Sequence, residues 1–387
     1  MRKGPNALSV GRAIVVAMAL ATLVGLVLEW PGGTVLASPI GRAPEIHSGS
    51  VVSADLGGCV TPQPRCVRVT ALLEDGPEAG QRASFDVFGT IDIGTGDRLR
   101  LARANIPAGA QIGGVAASRY SMSDFERTRP LLILCVAFGA LVLLAARWRG
   151  LRALVGLGLS LAVVFWFVVP AILDGHSPIV VATVGSMAVM VTTISLAHGL
   201  GPKGVAACLG TAASLLLTLA LADGFTRFAH LTGFGSEEAA FLNAAGGGLS
   251  LRGLLLAGMV IGALGVLDDL TVTQASTVMA LRHANPALGP RSLMRRGMSV
   301  GHDHIVATVN TLVLAYAGAA LPALLVFNVA GVRVGDALSS EAVAGQIVGM
   351  LVGSLGLIAA VPLTTGLAVL LASRIPADEL HDEGHSH

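Results

Sequence analysis

From Pro130 to near the end of the chain, one long apolar run follows another, and this pattern restricts the possible folds more than any other feature. The runs lie at residues 130–147, 151–171, 178–198, 204–222, 251–270, 305–328 and 343–372. A helix needs roughly 20 residues to cross the hydrocarbon core of a bilayer, and the runs are close to or above that length. With an earlier run at Ala13–Leu28, the sequence predicts a mainly α membrane protein of about eight transmembrane helices.

The composition agrees with a membrane location and argues against a nucleic-acid partner. Hydrophobic residues make up 53% of the chain and charged residues only 13%, an apolar share above that of ordinary soluble domains. The formal net charge is +1 and no long basic block is present, so no nucleic-acid partner is expected. The expected partners are the lipid bilayer and a small ion or solute, and no cofactor is predicted.

The first apolar run has two interpretations, a transmembrane anchor or a signal peptide. Basic residues precede it, which fits both. A small-residue cleavage site is present at Val35–Ala37, but it lies some way beyond the run, after Trp30–Gly33. We favour an anchor over residues 1–30 and keep cleavage as the alternative.

Residues 31–125 differ in composition, with few apolar runs and many Gly, Pro and charged residues. Cys66–Leu73 and Gln81–Phe88 alternate partly between apolar and polar side chains, and turn-forming residues separate them. Arg98–Leu101 follows a further turn. The pattern predicts a small antiparallel β domain, a compact barrel, between the first and second transmembrane helices.

Two of the four cysteines, Cys59 and Cys66, lie in this predicted β domain. In an oxidising compartment they would form a disulfide that closes a short loop and stabilises the domain by roughly 2–3 kcal/mol. The alternative is two independent thiols. Cys135 and Cys208 lie in apolar runs, where cysteine behaves as a small buried hydrophobic residue.

Positive charges predict how the chain crosses the membrane, because cytoplasmic loops are enriched in Lys and Arg. Such residues mark alternate loops of the predicted bundle (residues 130–373), at Arg147, Arg149, Arg152, Lys203, Arg282, Arg291, Arg295, Arg296 and Arg374. The opposite side carries the acids Asp174, Glu237, Glu238, Asp336 and Glu341, but also Arg227, Arg252 and Arg333. This arrangement places both termini in the cytoplasm, together with a His-containing tail at 374–387. The β domain then lies outside the cytoplasm.

Two adjacent carboxylates, Asp268 and Asp269, follow the apolar run that begins near Leu251. Ionised acids in hydrocarbon are costly unless they face a bundle interior, a water-filled cavity or a cation. A polar ladder follows them, and helical geometry predicts one face that carries Asp269, Thr273 and Ser276. The pair therefore suggests an ion or substrate site, and the alternative is a helix that ends at the interface with solvated acids.

Other polar groups are expected at a similar depth in the membrane. Asn310 and Thr311 lie about two turns into the seventh span, and His198 ends the fourth. Carboxylate, amide and hydroxyl oxygens suit hard cations, so the hypothesis of a substrate or ion site includes Asp268, Asp269, Thr271, Thr273, Gln274, Asn310, Thr311 and His198. The alternatives are helix-to-helix hydrogen bonds for the Asn and Thr residues and an interfacial position for His198.

His302, Asp303 and His304 are weak candidates for a metal site, since imidazole binds transition metals. Positions i and i+2 do not share a helical face, which argues against this site. Asp303 is instead predicted to cap the N-terminus of the seventh helix. The tail His381–His387 is a weaker metal-binding pattern still.

Motifs of common enzyme classes are missing from the sequence. It contains no Walker-type phosphate loop, no HExxH and no GxSxG. These absences argue against an ATPase, a zinc protease of that type and a hydrolase with a nucleophile elbow. No enzyme activity is predicted.

Two stretches resemble the YibE/F family of bacterial multipass membrane proteins. They are Gly262–Ser276, GALGVLDDLTVTQAS, and Asp303–Pro322, DHIVATVNTLVLAYAGAALP. The resemblance implies a bacterial plasma-membrane protein with an extracytoplasmic domain ahead of the helical bundle. It implies no particular activity.

Three function classes follow from these features. The first is a permease or ion-coupled transporter that uses the membrane-embedded Asp pair. The second is a non-transporting envelope assembly or scaffold factor that acts through the β domain. The third, an intramembrane enzyme, has the least support because no nucleophile and base can be paired. We expect the first.

Overall fold

The computed structural model describes residues 7–33, 44–57, 59, 66–89, 91–104, 106, 111–112, 115–116, 118–244 and 248–374. The possible cleavage site at 35–37 and the predicted His-containing tail from residue 375 onward lie outside these residues. The chain divides into two compact units, residues 40–144 and residues 1–39 with 145–387. Each unit is described by itself.

The smaller unit contains a small curled β-sheet in which every pairing is antiparallel. Its strands, in the spatial order β3-β2-β1-β4-β7, are β1 (Glu45–Leu56), β2 (Cys66–Leu73), β3 (Arg82–Phe88), β4 (Arg98–Arg103) and β7 (Tyr120–Phe125). A separate two-stranded ribbon pairs β5 (Gln111–Ile112) with β6 (Val115–Ala116). The prediction of a small antiparallel β-sheet in this region is confirmed.

Alternation along the strands builds the core of the sheet, because successive side chains in a strand point to opposite faces. Val69 and Ala71 of β2 are fully buried, as are Leu99 and Leu101 of β4. A register shift in β1 next to Val51 adds the local twist expected of a β-bulge. The edge strands β3 and β7 contact each other, but no ladder of hydrogen bonds joins them among the described residues, so the sheet curls without closing into the predicted barrel.

A disulfide joins Cys59 and Cys66 in this unit, with the two Cα atoms 6.2 Å apart. Cys66 is the first residue of β2 and is buried. The bond therefore ties Cys59, in the connection that follows β1, to the first residue of a core strand. Of the two remaining cysteines, Cys208 is buried and Cys135 is exposed, so the expectation of burial is wrong for Cys135.

The larger unit is a bundle of helices, and residues 128–144 of the second long helical stretch belong to the smaller unit. Seven helical stretches among the described residues are long and apolar enough to cross a membrane. They are α1 (Ala7–Leu28), α2 (Thr128–Val163) with a π-helical turn (Val164–Val168) and α3 (Val169–Leu173), α4 (Pro178–His198), α5 (Pro202–Phe228), α7 (Leu251–Ala284), α8 (Pro290–Val329) and α10 (Glu341–Ala372). Two short helices, α6 (Glu237–Ala244) and α9 (Val334–Ser339), lie in connections.

The difference between seven stretches and the eight expected arises at Arg147. The predicted spans 130–147 and 151–171 belong to one long helical segment. Arg147 interrupts it with non-helical angles, φ 50° and ψ −126°. The stretch therefore consists of two helices that meet at Arg147, one for each predicted span, and the basic residues mark their junction.

Two other helices are longer than the apolar runs that predicted them. The sixth run was expected to end near residue 270, but α7 continues to Ala284, and α8 begins at Pro290 although its run starts at 305. Polar side chains in the extension of α7 are satisfied locally, since the hydroxyls of Ser276 and Thr277 donate to backbone carbonyls four residues earlier. Apolar character alone therefore underestimated the length of both helices.

The centre of the bundle is formed by α5, α7 and α10, each with at least half of its most apolar stretch buried. Leu215, Leu267 and Leu357 are fully or almost fully buried there. The helix α1 also contributes to this core, because Val15 is 1% exposed and Gly11 packs against Val205. The remaining long helices expose apolar side chains over much of their surface.

At one end of the bundle, a carboxylate holds the start of α10 against the connection between α5 and α6. Glu341 accepts hydrogen bonds from the backbone N–H groups of Thr232, Gly233 and Phe234 and from the Thr232 hydroxyl. The carboxylate is therefore satisfied by the protein itself. It acts as a clasp and is not free to bind a ligand.

Candidate functional site

The site is built on α4 and α7, which run parallel to each other. Near their first residues, a Cβ placed on Gly253 would lie 3.3 Å from Pro178. Further along, the Thr193 hydroxyl lies 3.2 Å from Asp268 Oδ2. In each pair the two residues are 75 apart in sequence. The two helices therefore keep the same alignment over about four helical turns.

Asp268 faces α4 and is half-buried. Its Oδ2 atom accepts the hydrogen bond from Thr193, and its Oδ1 atom is buried without a hydrogen-bond partner. The Thr193 hydroxyl also lies within bonding distance of two carbonyls of its own helix, of Val189 and Met190. A hydroxyl has one proton to donate, so Asp268 shares this donor with two competitors.

A cavity of about 280 Å³ opens beside this carboxylate, between α4, α7, the end of α2 and the π-helical turn. Most of its wall is aliphatic, from Leu157, Leu161, Val164, Val189, Ile261 and Leu264. The polar groups in the wall are Ser160, Ser186, Thr193 and Asp268, and the lining contains no Lys, Arg or His. Ligand sites commonly combine apolar walls with a few polar groups in this way.

The π-helical turn forms part of the cavity wall. It buries Phe167 and Val168, while Trp166, the residue before them, is 74% exposed. Val168 packs closely on α4, since a Cβ on Gly185 would lie 2.7 Å from its Cγ2 atom. Single π-helical turns occur frequently at functional sites, and this one lies next to an unsatisfied carboxylate.

A second unsatisfied polar atom lines the cavity. Ser186 is 2% exposed, and its hydroxyl has no hydrogen-bond partner. It precedes Thr193 by two helical turns, so it lies about 10 Å from it along the axis of α4. The cavity therefore has a carboxylate at one end, a hydroxyl at the other and aliphatic side chains between them.

The structure separates the members of the predicted acid pair. Asp268 points towards α4 and the cavity, whereas Asp269 is exposed. Of the polar face predicted beside it, Thr273 and Ser276 are half-buried. The cavity lining includes Asp268 alone of these residues.

Two further predicted site residues of α7 take part in helix packing. Thr271 is fully buried, with its hydroxyl 2.5 Å from that of Thr211 on α5. The Gln274 amide donates to the carbonyl of Gly297 on α8 and to the hydroxyl of Thr365 on α10. These contacts correspond to the alternative of hydrogen bonds between helices.

The predicted convergence of the acid pair with Asn310 is not present among the described contacts. Asn310 and Thr311 are exposed on α8, and the Thr311 hydroxyl donates to a carbonyl of its own helix. The correction concerns the partner helix, because Asp268 meets α4 and not α8. His198 lies on α4 but is more than one turn beyond Thr193 and outside the cavity lining.

The predicted helix cap among the weak metal candidates is wrong. His302, Asp303 and His304 lie inside α8, which begins at Pro290, so Asp303 does not cap the helix as predicted. In the part of the chain that the structure describes, one cluster has metal-ligand spacing, and it consists of Cys59, Cys66 and Asp86. Its two sulfur atoms form the disulfide, so it offers no thiolate for a metal.

Sequence reasoning missed Ser186, Gly185 and the π-helical turn as parts of the site. In the sequence, Thr193 stands out only as one of the hydroxyl residues that precede His198 in the same run. The usable signal was the position of the Thr192–Thr193 pair, which lies in an otherwise apolar run at the depth of the acids. Nothing in the sequence distinguishes the turn at Val164–Val168 from ordinary helix.

Comparison with known families supports the resemblance noted in the sequence. A family model described as YibE/F-like protein matches residues 134–374. The chain belongs to the YibE/F-like family. This YibE/F-like protein keeps its whole candidate site, from Leu157 to Asp268, inside the matched region. No curated protein and no solved structure matches it.

The family and the apolar helices together suggest a membrane protein.

Proposed function

We propose that this YibE/F-like protein is a permease or ion-coupled transporter of the bacterial plasma membrane, and that Asp268 is its binding group. One observation carries the proposal. A half-buried carboxylate with an unpartnered oxygen faces a cavity between α4, α7 and the π-helical turn. Acidic residues in membrane helices are costly and rare, and those that occur usually mark an ion pathway, a proton relay or a charge pair.

The cavity geometry supports a transport cycle of occupation and release at Asp268. Binding a cation or a proton removes the unfavourable charge, which favours closing of the aliphatic walls around the site. The wall formed by the π-helical turn contacts α4 through Val168 and Gly185, and this contact is the proposed point of movement. The proposal is for a carrier without enzyme activity.

Charge distribution supports an orientation with both termini in the cytoplasm. Basic side chains follow Thr193 and Asp268 on this side, at Lys203 in the first turn of α5 and at Arg282 in the last turn of α7. Cytoplasmic ends are enriched in basic residues, so Asp268 lies towards the cytoplasmic side and the β-sheet lies outside. Oxidation of Cys59 and Cys66 agrees with that location.

The test is transport by the purified protein in proteoliposomes, for protons and for small cations. Asp268→Asn removes the charge at nearly the same size, and we expect it to lower flux at least tenfold. Asp269→Asn is the matched control, because the neighbouring acid is exposed and outside the cavity. Equal flux by the wild type and Asp268→Asn would end the proposal.

A second function is favoured by the β-sheet, which has its own core and a disulfide. In that proposal the protein is an envelope assembly or scaffold factor and transports nothing. It predicts that removing residues 45–125 abolishes function in cells while Asp268→Asn has no effect. The two proposals therefore give opposite results for one substitution.

A further inference from the structure

The cavity beside Asp268 has features that select a class of ligand, provided that the proposed transport function is correct. Its negative end holds one carboxylate oxygen without a partner, and the structure describes no cationic side chain in ion-pair contact with Asp268. A bound ligand would therefore supply the missing positive charge and a hydrogen-bond donor. A charge-assisted hydrogen bond of this kind is stronger than one between neutral groups.

The walls fit a calcium or magnesium ion poorly. Calcium takes six to eight oxygen ligands, and magnesium requires near-octahedral oxygen coordination. The cavity offers one carboxylate and three hydroxyls, from Ser160, Ser186 and Thr193. Ser186 and Thr193 lie about 10 Å apart along α4, too far to share one ion. Leu161, Val189 and Leu264 between them provide no oxygen from their side chains.

The length and lining of the cavity match an amphipathic molecule. A cationic group at Asp268 would leave about 10 Å of aliphatic wall for an apolar body before the Ser186 hydroxyl is reached. The Ser186 hydroxyl is buried and has no partner, so a polar group at the far end of a ligand would satisfy it. Each feature of the wall then has a counterpart in the ligand.

We propose that the cavity binds an organic ammonium ion with an apolar body, held by Asp268 at its charged end. The N–H groups donate to Asp268 Oδ1, and the body packs on Leu161, Val164 and Leu264. The cavity volume of about 280 Å³ suits a small amine and is too small for a complete phospholipid.

The test uses three probes with the same body and different charge: n-octylammonium, n-octanol and octanoate. Binding of radiolabelled n-octylammonium to the full chain in lipid nanodiscs is measured, and binding to empty nanodiscs is subtracted. Unlabelled n-octylammonium should compete at least tenfold better than either of the other probes. Equal competition by n-octanol would overturn the inference, because the cavity would then recognise the apolar body alone.

Variants test the position of the charge. Asp268→Asn should weaken n-octylammonium binding roughly tenfold to hundredfold, the range expected for one lost charge-assisted bond. Asp269→Asn should bind as the wild type does. Unchanged binding by Asp268→Asn would overturn the inference, and the charge series on the unaltered chain remains informative if that variant folds poorly.

The outcomes separate this inference from the proposed function. If ion flux depends on Asp268 but n-octylammonium neither binds nor competes, the ligand class is wrong and the transporter proposal remains. If n-octylammonium binds at Asp268 but no flux is found for any probe or ion, the ligand class is correct and the transporter proposal is wrong. Flux of n-octylammonium itself, lost in Asp268→Asn, would support both.

Discussion

Thr218 of α5 inserts into the space beside Gly356 of α10, so closely that a Cβ on the glycine would lie 2.0 Å from the threonine hydroxyl. The reverse contact occurs two turns away, where Thr364 of α10 inserts beside Gly210 of α5 and a Cβ on this glycine would lie 2.2 Å from the threonine hydroxyl. Each helix thus packs one of its threonines against a glycine of the other helix. This arrangement brings their backbones close at the centre of the bundle, as small residues do in membrane helices.

The first prediction concerns these glycines. Gly210→Ala and Gly356→Ala should each destabilise the protein by about 1–3 kcal/mol, because the added methyl group overpacks a full space. Both threonines are β-branched, and Thr218 also donates to Ser214 of its own helix, so they cannot move aside easily. The measurement is the midpoint of thermal unfolding in detergent.

Each helix offers a matched control for that measurement. Gly224 on α5 and Gly366 on α10 have open space where a Cβ would be placed. Alanine at these two positions should leave stability unchanged or raise it by up to about 1 kcal/mol, because glycine is unfavourable inside a helix. Equal effects of alanine at all four positions would contradict the close contact.

The second prediction concerns the hydrogen bond between Thr193 and Asp268. Thr193→Val keeps the shape of the side chain and removes the donor. A hydrogen bond to a charged group contributes about 1.5–3 kcal/mol. Under the proposed transport function, the Km for ion flux should therefore change at least tenfold. Flux in proteoliposomes at several ion concentrations measures it.

The neighbouring Thr192 is the control for this change. Its hydroxyl donates within its own helix, to the carbonyls of Ala188 and Val189, and it is outside the cavity lining. Thr192→Val should leave the Km unchanged. A similar change in both variants would mean that the valines act through helix stability and not through Asp268.

The third prediction concerns Gln274, which connects three helices. Gln274→Leu removes the donors to Gly297 and Thr365 and leaves those buried acceptors with fewer partners. The expected loss is about 1–3 kcal/mol of unfolding free energy. Asn310→Leu on the exposed face of α8 is the control and should change stability by less than about 0.5 kcal/mol. A larger effect at Asn310 than at Gln274 would contradict the packing role assigned to Gln274.

The fourth prediction concerns the clasp formed by Glu341. Glu341→Gln removes the charge that gathers three backbone N–H groups and one hydroxyl. We expect a loss of about 1–3 kcal/mol, because hydrogen bonds to charged groups are the stronger ones. Hydrogen exchange at the Thr232–Phe234 amides should also become faster. Glu238→Gln at the exposed start of α6 should change neither quantity, and unchanged exchange in Glu341→Gln would contradict the clasp.

Helix positions were predicted well where the chain itself marks both ends. The run 178–198 and helix α4 have the same bounds, because Pro178 occupies the first turn and Gly199 follows with a φ of 67° that favours glycine. The end of α7 and the start of α8 were not predicted. In α7 the hydroxyls of Ser276 and Thr277 and the amide of Gln274 are satisfied inside the fold. Hydropathy registers those residues as polar and cannot register their partners.

The candidate site was predicted only in part, for a related reason. The sequence singled out Asp268 because an acid in an apolar run is rare. It did not show which neighbour the acid faces, since apolar residues surround α7 on most sides and give its faces little distinction. Thr193 and the turn at Val164–Val168 come next to Asp268 through contacts between helices. The sequence of α7 alone does not specify these contacts.

The bond between Cys59 and Cys66 gives the protein an internal reporter of its own membrane topology. Such a bond persists in a periplasm or outside the cell and is reduced in cytosol. The redox state of this one pair in intact cells therefore tells which side of the membrane the β-sheet faces, without any fused tag. The thiols of Cys135 and Cys208, which are not bonded to each other, provide the reduced reference in the same molecule.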